Sequence, residues 1–525
     1  MRARFRWQVP QRFNIAERCC DSWAREFSDR VAIVHLDGAG ARQEWSYGRL
    51  KRASDGLAAS LRARGVGFGD RVAVLLAQCP EVMIAHMAAY KLGAVVLPLF
   101  TLFGPDALDY RLRDSGARAL VTDGDNLDKV MALRAGLPDL AEIYCIDRAA
   151  APVRTFWDEV ETASAFQPVD TLAEDPACLI YTSGTTGDPK GVLHAHRFLI
   201  GHLPSVEAHH EGFPQPGDTG WTPADWAWIG GLMDMAMPCL HYGVPLVSHR
   251  MRRFDADAAW RLIAAEHVRN LFLPPTALKL MRQAQVPCDV AIRSVGSGGE
   301  ALGADLLDWA QTALNAPINE IYGQTECNLV LASCAGSMPV VPGSMGQPVP
   351  GFDVAVIDAA GAELGDGEVG EIAVRRPNPV MFLRYWNKPA QTAERFTGDW
   401  MRTGDLGRRD ERGYFWYVSR DDDVITSSGY RIGPVEIENC LTGHPDVVMA
   451  AVIGVPDATR GEAVKAFVVL RDGAGWDGLE AALIARVKAR VSPHLAPRTV
   501  ERIAALPMTA TGKIMRRSLR DSGVS

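Results

Sequence analysis

The chain has 525 residues and a mass of 57.1 kDa, room for about three or four domains at roughly 150 residues each. Hydrophobic residues at 47% and charged residues at 22% exclude a disordered tail, a collagen and a coiled coil. With 55 basic and 63 acidic residues the formal net charge is −8, so no sequence-wide basic field exists for nucleic acid, and any anionic ligand must be met by local cations.

The opening MRARFRWQVP is basic, but no apolar stretch of signal-peptide length follows, and Glu17, Asp21, Glu26 and Asp29 come soon after. The arginines leave an organelle presequence open; the expected location is the cytoplasm. No run reaches the ~18 apolar residues of a membrane span. The ten cysteines never form a C-x-x-C, which predicts small core residues rather than a disulfide framework or a zinc site.

From residue 70 strands and helices alternate. Asp70–Leu76 reads as a buried strand, Glu81–Leu92 as a helix, Gly93–Leu99 as a second strand, Pro105–Asp114 as a helix and Ala117–Thr122 as a third strand. The rhythm returns with a helix at Ala256–Glu266, a strand at Asn270–Leu273 and a helix from Thr276. This pattern predicts an α/β domain with parallel-rich sheets. After about residue 415 the texture changes. A polar, glycine-punctuated segment (419–434) precedes a helix at Pro434–Leu441, strands at Val447–Val455 and Ala463–Leu470, a helix at Leu479–Arg490 and an apolar run at Thr499–Leu506. The expectation is a large domain over 1–421 and a small α+β domain over 422–525.

Strand-like Leu179-Ile180-Tyr181 runs into Thr182-Ser183-Gly184-Thr185-Thr186-Gly187-Asp188-Pro189-Lys190-Gly191. Hydroxyls, free N–H groups and a lysine at this density suit a polyphosphate. The loop is not a Walker A motif, because Gly191 rather than Ser or Thr follows Lys190. Further landmarks follow in order: GGEA (298–301), YGQTE (322–326), TGD (403–405), RDDD…GYRIG (420–433) and TGK (511–513). From about Trp23 to Arg520 the chain resembles the adenylate-forming superfamily of acyl-CoA synthetases, luciferases and adenylation domains. YGQTE, SSGYRIGPVEIEN and RGEAVKAFVVL are most similar to medium-chain acyl-CoA synthetases.

The resemblance implies a large adenylate-forming domain, a small mobile domain, and two half-reactions that turn an acid, ATP and CoA into acyl-CoA, AMP and pyrophosphate. It assigns residues 182–187 and Lys190 to the ATP phosphates, and Glu326 with the Thr185 hydroxyl to Mg²⁺. Thr325 faces the α-phosphate or the substrate carboxylate. Gly299, Glu300, Ala301 and Tyr322 enclose adenine, with Glu320, Gly323 and Gln324 in the same nucleotide site. Asp405 accepts the ribose hydroxyls beside Arg420, and Arg431 is a phosphate contact. Lys513 bridges the carboxylate and the α-phosphate during adenylation, and Asp422 is the hinge. Ser428, Gly429, Tyr430, Arg460 and Arg498 are carried over as the CoA side. Lys513, Thr325, Glu326 and Lys190 are thus the catalytic set.

For the acyl group, Gly323 stands where acetate-specific relatives place a tryptophan, which predicts a pocket opened for several methylenes. The segment 221–240 is its expected opposite wall, with Trp228 matching the tryptophan of medium-chain relatives; Trp226 either shortens that cavity or is simple core packing, and Met233, Met235 and Met237 read as core. Short branched, medium linear and aromatic acids stay open. His194, His196, His209 and His210 read as surface or packing residues. The alternatives are an aryl-CoA ligase, an acyl-carrier-protein ligase, and a catalytically silent nucleotide- or acyl-CoA-binding regulator. A lysine acetyltransferase acting on Lys513, an off-switch in some relatives, is a further partner that the resemblance raises.

Overall fold

The apolar runs read over residues 70–122 form the middle of an eight-stranded sheet in the computed structural model. The structure describes residues 4–148, 151–161, 165–182, 188–300, 302, 304–420, 423–427, 430–457, 461–509 and 513–522, with 304, 305, 426, 430, 431, 461 and 522 at the backbone only. The sheet order is Arg384–Tyr385, Lys190–Ala195, Pro176–Thr182, Val95–Pro98, Arg71–Leu75, Ala119–Thr122, Glu142–Cys145 and Arg154–Thr155. Its centre is parallel, with Val72 opposite both Val96 and Ala119. Strands covered on both faces read as continuous apolar stretches, which is why their bounds match the expected ones within two residues. Helix Pro80–Lys91 starts on a proline, where a missing N–H costs nothing. Helix Pro105–Ser115 stops where Gly116 turns left-handed at φ 60°.

A nine-stranded sheet runs Gln347–Pro348, Cys327–Ala332, Ile318–Gln324, Ser294–Gly298, Asn270–Phe272, Gly220–Trp221, Leu246–His249, Val31–Leu36 and Arg42–Ser46. Its centre is parallel and its two edges are antiparallel. One continuous core joins the two sheets. It contains Val72 and Val74 from one, Ile33, Leu246 and Ile321 from the other, and Leu57, Ile84 and Leu199 from the helices between them in sequence. Each such side chain, fully buried, contributes about 1.5–3 kcal/mol.

A third sheet was not anticipated. Val354–Ile357, Gly370–Arg375, Trp400–Arg409 and Phe396–Thr397 form it in that order, with Phe415–Arg420 also paired to Trp400–Arg409; every pairing is antiparallel. The chain then enters the small α+β domain, whose sheet orders Tyr430–Ile432, Ile425–Ser427, Gly461–Leu470 and Val447–Asp457, with Thr499–Arg502 added to Gly461–Leu470. The apolar run expected over 499–506 is a strand only to Arg502. Helices Pro434–Thr442 and Leu479–Arg490 cover this sheet through Ile437, Leu441, Leu483 and Val487.

The expected boundary at Asp421–Asp422 lies outside the described residues. Just past it, Asp423 pairs with Arg516 at 3.4 Å and Arg520 at 2.9 Å, tying helix Arg516–Ser522 to the start of the small domain. All ten cysteines are free, and most are buried. His194, His196, His209 and His210 are fully buried packing residues, none on the surface. No helix among the described residues is long and apolar enough to cross a membrane.

Candidate active site

Asp405 is set by a stapled turn. Gly404 takes φ 74°, a conformation that glycine adopts freely, and its N–H donates to Glu371 Oε1 at 2.7 Å. Thr403 Oγ1 donates to Ile372 O at 2.6 Å and accepts from Asp405 N–H at 3.1 Å. The turn is thereby fixed to the neighbouring strand. The Asp405 carboxylate is 6% exposed. Its Oδ2 accepts from Tyr322 Oη at 2.7 Å and Gln324 Nε2 at 2.6 Å, while Oδ1 faces Arg420 Nε at 3.9 Å. Burial lifts its pKa above the usual range, opposed by Arg420 and by the two hydrogen bonds.

Glu326 lies just past strand Ile318–Gln324. Its Oε1 accepts from the Tyr385 hydroxyl, and Arg395 stands 3.7 Å from the same oxygen. Arg395 also donates to Gln324 Oε1 at 2.9 Å, so one guanidinium links the Glu326 and Asp405 clusters. Lys190 opens strand Lys190–Ala195, and its ammonium lies 5.2 Å from the centre of the Tyr385 ring. Thr182 and Lys190 face each other as a strand pair, so the segment between them starts and ends at one place. Ser183, Gly184, Thr185, Thr186 and Gly187, the expected phosphate loop, lie outside the described residues. Thr325 is part-buried beside Glu326.

Lys513 is tied back to Thr509: its N–H donates to Thr509 Oγ1 at 3.1 Å and its carbonyl accepts from Thr509 N–H at 2.8 Å. Lys513 reaches a cavity of about 310 Å³ that it lines with Trp228, Thr276, Gly298, Gly299 and Glu300. Gly299 has φ +97°, and a Cβ there would stand 3.3 Å from the Trp228 ring and 3.9 Å from Lys513 Cε. Glycine lets both approach. Although Lys513 as a residue is exposed, desolvation of its amine and then Arg420 lower its pKa, opposed by Asp405, Glu300 and Glu326. Burial raises the Glu300 pKa, opposed by Lys279 and Lys513. Glu300 Oε1 is buried without a hydrogen-bond partner, an acceptor open to a ligand donor.

One hard oxygen also stays open at Glu326, whose Oε2 carries no hydrogen bond among the described residues. Among those residues no group of three or more His, Cys, Asp or Glu could hold a metal. One carboxylate is enough for Mg²⁺ beside a nucleotide, because that ion takes most of its ligands from phosphates and water.

Two acyl-pocket expectations meet the structure here, and for Trp226 the core-packing reading is the one that fits. Trp226 is 1% exposed within the main core and does not line the cavity, whereas Trp228 does. At Gly323 a Cβ would meet Leu329 N at 2.3 Å and Asn328 Cα at 2.8 Å. The missing side chain therefore faces the backbone of strand Cys327–Ala332, at the irregularity in its pairing. It permits close strand approach and opens no pocket. Glu320 is 6% exposed, and burial pushes its pKa up to about 8, opposed by the Leu302 backbone.

Arg498 is exposed in the small domain and does not line the cavity. Tyr430 and Arg431 lie on strand Tyr430–Ile432, while Ala301, Asp422, Ser428, Gly429 and Arg460 lie outside the described residues. Sequence reasoning missed Tyr385, Arg395 and Thr403. Only its place in the TGD motif hinted at Thr403, and nothing in RYW (384–386) or AERF (393–396) marks the other two.

Two family models match the chain: AMP-binding enzyme over residues 20–386, and AMP-binding enzyme C-terminal domain over residues 436–513. An uncharacterized acyl–CoA ligase of Bacillus subtilis is 33% identical over 505 residues, covering 94% of this chain and 93% of its own. The mitochondrial acyl-coenzyme A synthetase ACSM2 of Rattus norvegicus is 34% identical over 532 residues, covering 98% and 92%. Among solved structures, an anthranilate CoA ligase in complex with anthranoyl-AMP superposes with a TM-score of 0.90 at 26% identity, covering 98% of each chain.

Proposed function

The chain belongs to the AMP-binding, adenylate-forming enzymes, within the acyl-CoA synthetases and ligases, and on that premise we propose that it makes acyl-CoA from a carboxylic acid, ATP and CoA, with a medium-chain or short branched fatty acid as the acid. In the first half-reaction a carboxylate oxygen attacks the α-phosphorus. A carboxyl–phosphorus bond forms, the bond to the β-phosphate oxygen breaks, and pyrophosphate leaves. In the second half the CoA sulfur attacks the acyl carbon, AMP leaves with its electron pair, and the thiol proton passes to solvent.

Chemistry of this kind rests on positioning and charge neutralisation. Asp405 receives the ribose hydroxyls, because a buried carboxylate with one oxygen held by Tyr322 and Gln324 is already oriented. Lys190 meets the terminal phosphates. Glu326 would hold Mg²⁺, which neutralises phosphate charge when bound. Lys513 brings its ammonium to the carboxylate and α-phosphate oxygens, and the small domain then turns about Asp422 to admit the thiol.

The observation that carries this reading is convergence. Lys513, from the small domain, meets Gly299 and Glu300 just past strand Ser294–Gly298 of the nine-stranded sheet, within electrostatic reach of Asp405 in the third sheet. Pyrophosphate release tests it with linear C2–C12, branched and benzoic acids, with and without CoA. Release that needs an acid, and CoA consumption in step with it, are expected. No release with any acid would favour a silent binder, and indifference to CoA another acceptor. An aryl-CoA ligase is the second reading, favoured by the fit to the anthranilate ligase and by the flat Trp228 wall. With Gly323 turned to the backbone, acetate belongs in the panel on equal terms.

A further inference from the structure

Tyr385 stands between the two opposite charges of the phosphate end. Strand Arg384–Tyr385 pairs antiparallel with Lys190–Ala195, Tyr385 opposite Val192, so one ladder carries both Tyr385 and Lys190. The tyrosine is 2% exposed. Its backbone N–H donates to Thr392 Oγ1 at 3.0 Å, and its ring packs on Phe382 at 5.0 Å. The phenol is thus held from both ends. The hydroxyl donates to Glu326 Oε1, and the ring face receives the Lys190 ammonium.

A buried tyrosine usually finds some hydrogen-bond partner, so the hydroxyl contact alone would be ordinary. The combination is what carries weight. A lysine and a glutamate set this close to one ring would otherwise be free to pair with each other, which would cancel both charges. No ion pair between Lys190 and Glu326 occurs among the described residues. With Oε1 taken by the phenol and by Arg395 at 3.7 Å, Oε2 is left for a cation; with the ammonium resting on a ring face, its N–H donors are left for phosphate.

We propose that Tyr385 is the positioning residue of the phosphate end, holding Glu326 by its hydroxyl and Lys190 by its ring so that the two charges stay apart and available to the nucleotide and its cation. The proposal rests on the nucleotide reading given above.

Full-length Tyr385→Phe and Tyr385→Leu separate the two contacts. ATP affinity is measured by calorimetry with no acid present, once with Mg²⁺ and once with chelator. Tyr385→Phe keeps the ring, so ATP binding in chelator should stay within about twofold of native. The gain in affinity on adding Mg²⁺ should fall about tenfold, the scale of a hydrogen bond to a charged group. Tyr385→Leu should also weaken binding in chelator, about threefold, the scale of an exposed cation–π contact. A native Mg²⁺ gain in Tyr385→Phe would overturn the proposal, as would identical behaviour of Phe and Leu variants that both melt like native. Should the leucine variant not fold, the Mg²⁺ gain of the phenylalanine variant decides alone. A native protein that bound ATP with a Mg²⁺ gain yet released no pyrophosphate would sink the proposed reaction and leave this test standing; one that bound no ATP would overturn both.

Discussion

Lys91 and Asp405 are both buried charges, and their surroundings differ in one respect. Around Lys91, Nζ meets Asp21 Oδ1 at 2.8 Å, Asp55 Oδ1 at 2.6 Å and Ser54 Oγ at 2.9 Å, and Lys51 reaches Asp55 from the other side. Burial alone would lower the Lys91 pKa, and Cys20, Asp21 and Asp55 raise it. Every charge there is answered from within the chain. Around Asp405 and Glu326, one oxygen of each carboxylate is fixed by tyrosine or glutamine, and the other faces Arg420 at a distance or nothing described. Buried charge by itself marks no site. A buried charge oriented by hydrogen bonds on one side and met only by distant arginines otherwise does.

Substitutions in the two clusters should therefore fail in opposite ways. The largest effect on stability belongs to Lys91→Met, which takes the 2.8 Å partner from buried Asp21 and leaves Asp55 with Lys51 alone, and should cost about 3–5 kcal/mol by denaturant unfolding. Activity per folded molecule should be unchanged. Replacing Lys91, Asp21 and Asp55 together by apolar residues of similar size should recover most of that loss, as expected where a buried ion cluster is removed whole. Asp405→Asn should do the reverse. Its stability should stay near native, while KM for ATP rises about 10- to 100-fold, the range for lost hydrogen bonds to a charged acceptor. A stability loss in Asp405→Asn equal to that in Lys91→Met would erase the contrast.

The sealed interior also predicts a pH response. Burial depresses His86, His194 and His196 to about 3 and His202 and His209 to about 4. An unfolded chain takes up protons at these positions below about pH 6.5, whereas the folded chain refuses them until about pH 3–4. Stability should thus fall steadily as pH drops from 6.5 toward 4, with ΔG rising with pH across that window. Thermal midpoints flat from pH 7 to 5 would contradict it. The smallest effect belongs to the exposed Arg12–Asp170 pair: Arg12→Ala should change stability by less than about 1 kcal/mol.

What the sequence disclosed follows the same physics. The strands over 70–122 are legible because burial on both faces leaves them apolar but for Arg71 and Thr122 at their ends. Strand Trp400–Arg409 alternates buried and half-buried residues and carries Arg402, Asp405 and Arg408, so it reads as loop, and the third sheet with it was missed. Lys190, Glu326, Asp405 and Lys513 were legible because they stand in short ordered motifs. Tyr385 and Arg395 were not, because their contacts to Glu326 and Gln324 span 59 and 71 residues of chain. Gly323 was misread for a related reason: a glycine in a string does not say which side its absent side chain would face.

The central claim is that Lys513 serves one half of a two-step reaction. Lys513→Ala should be assayed in both halves, by pyrophosphate release from ATP and acid, and by thioester formation from supplied acyl-adenylate and CoA. The expected result is loss of the first by about a hundredfold or more, on the scale of removing one electrostatic stabiliser, with the second within about twofold of native. Equal loss of both halves would contradict the assignment.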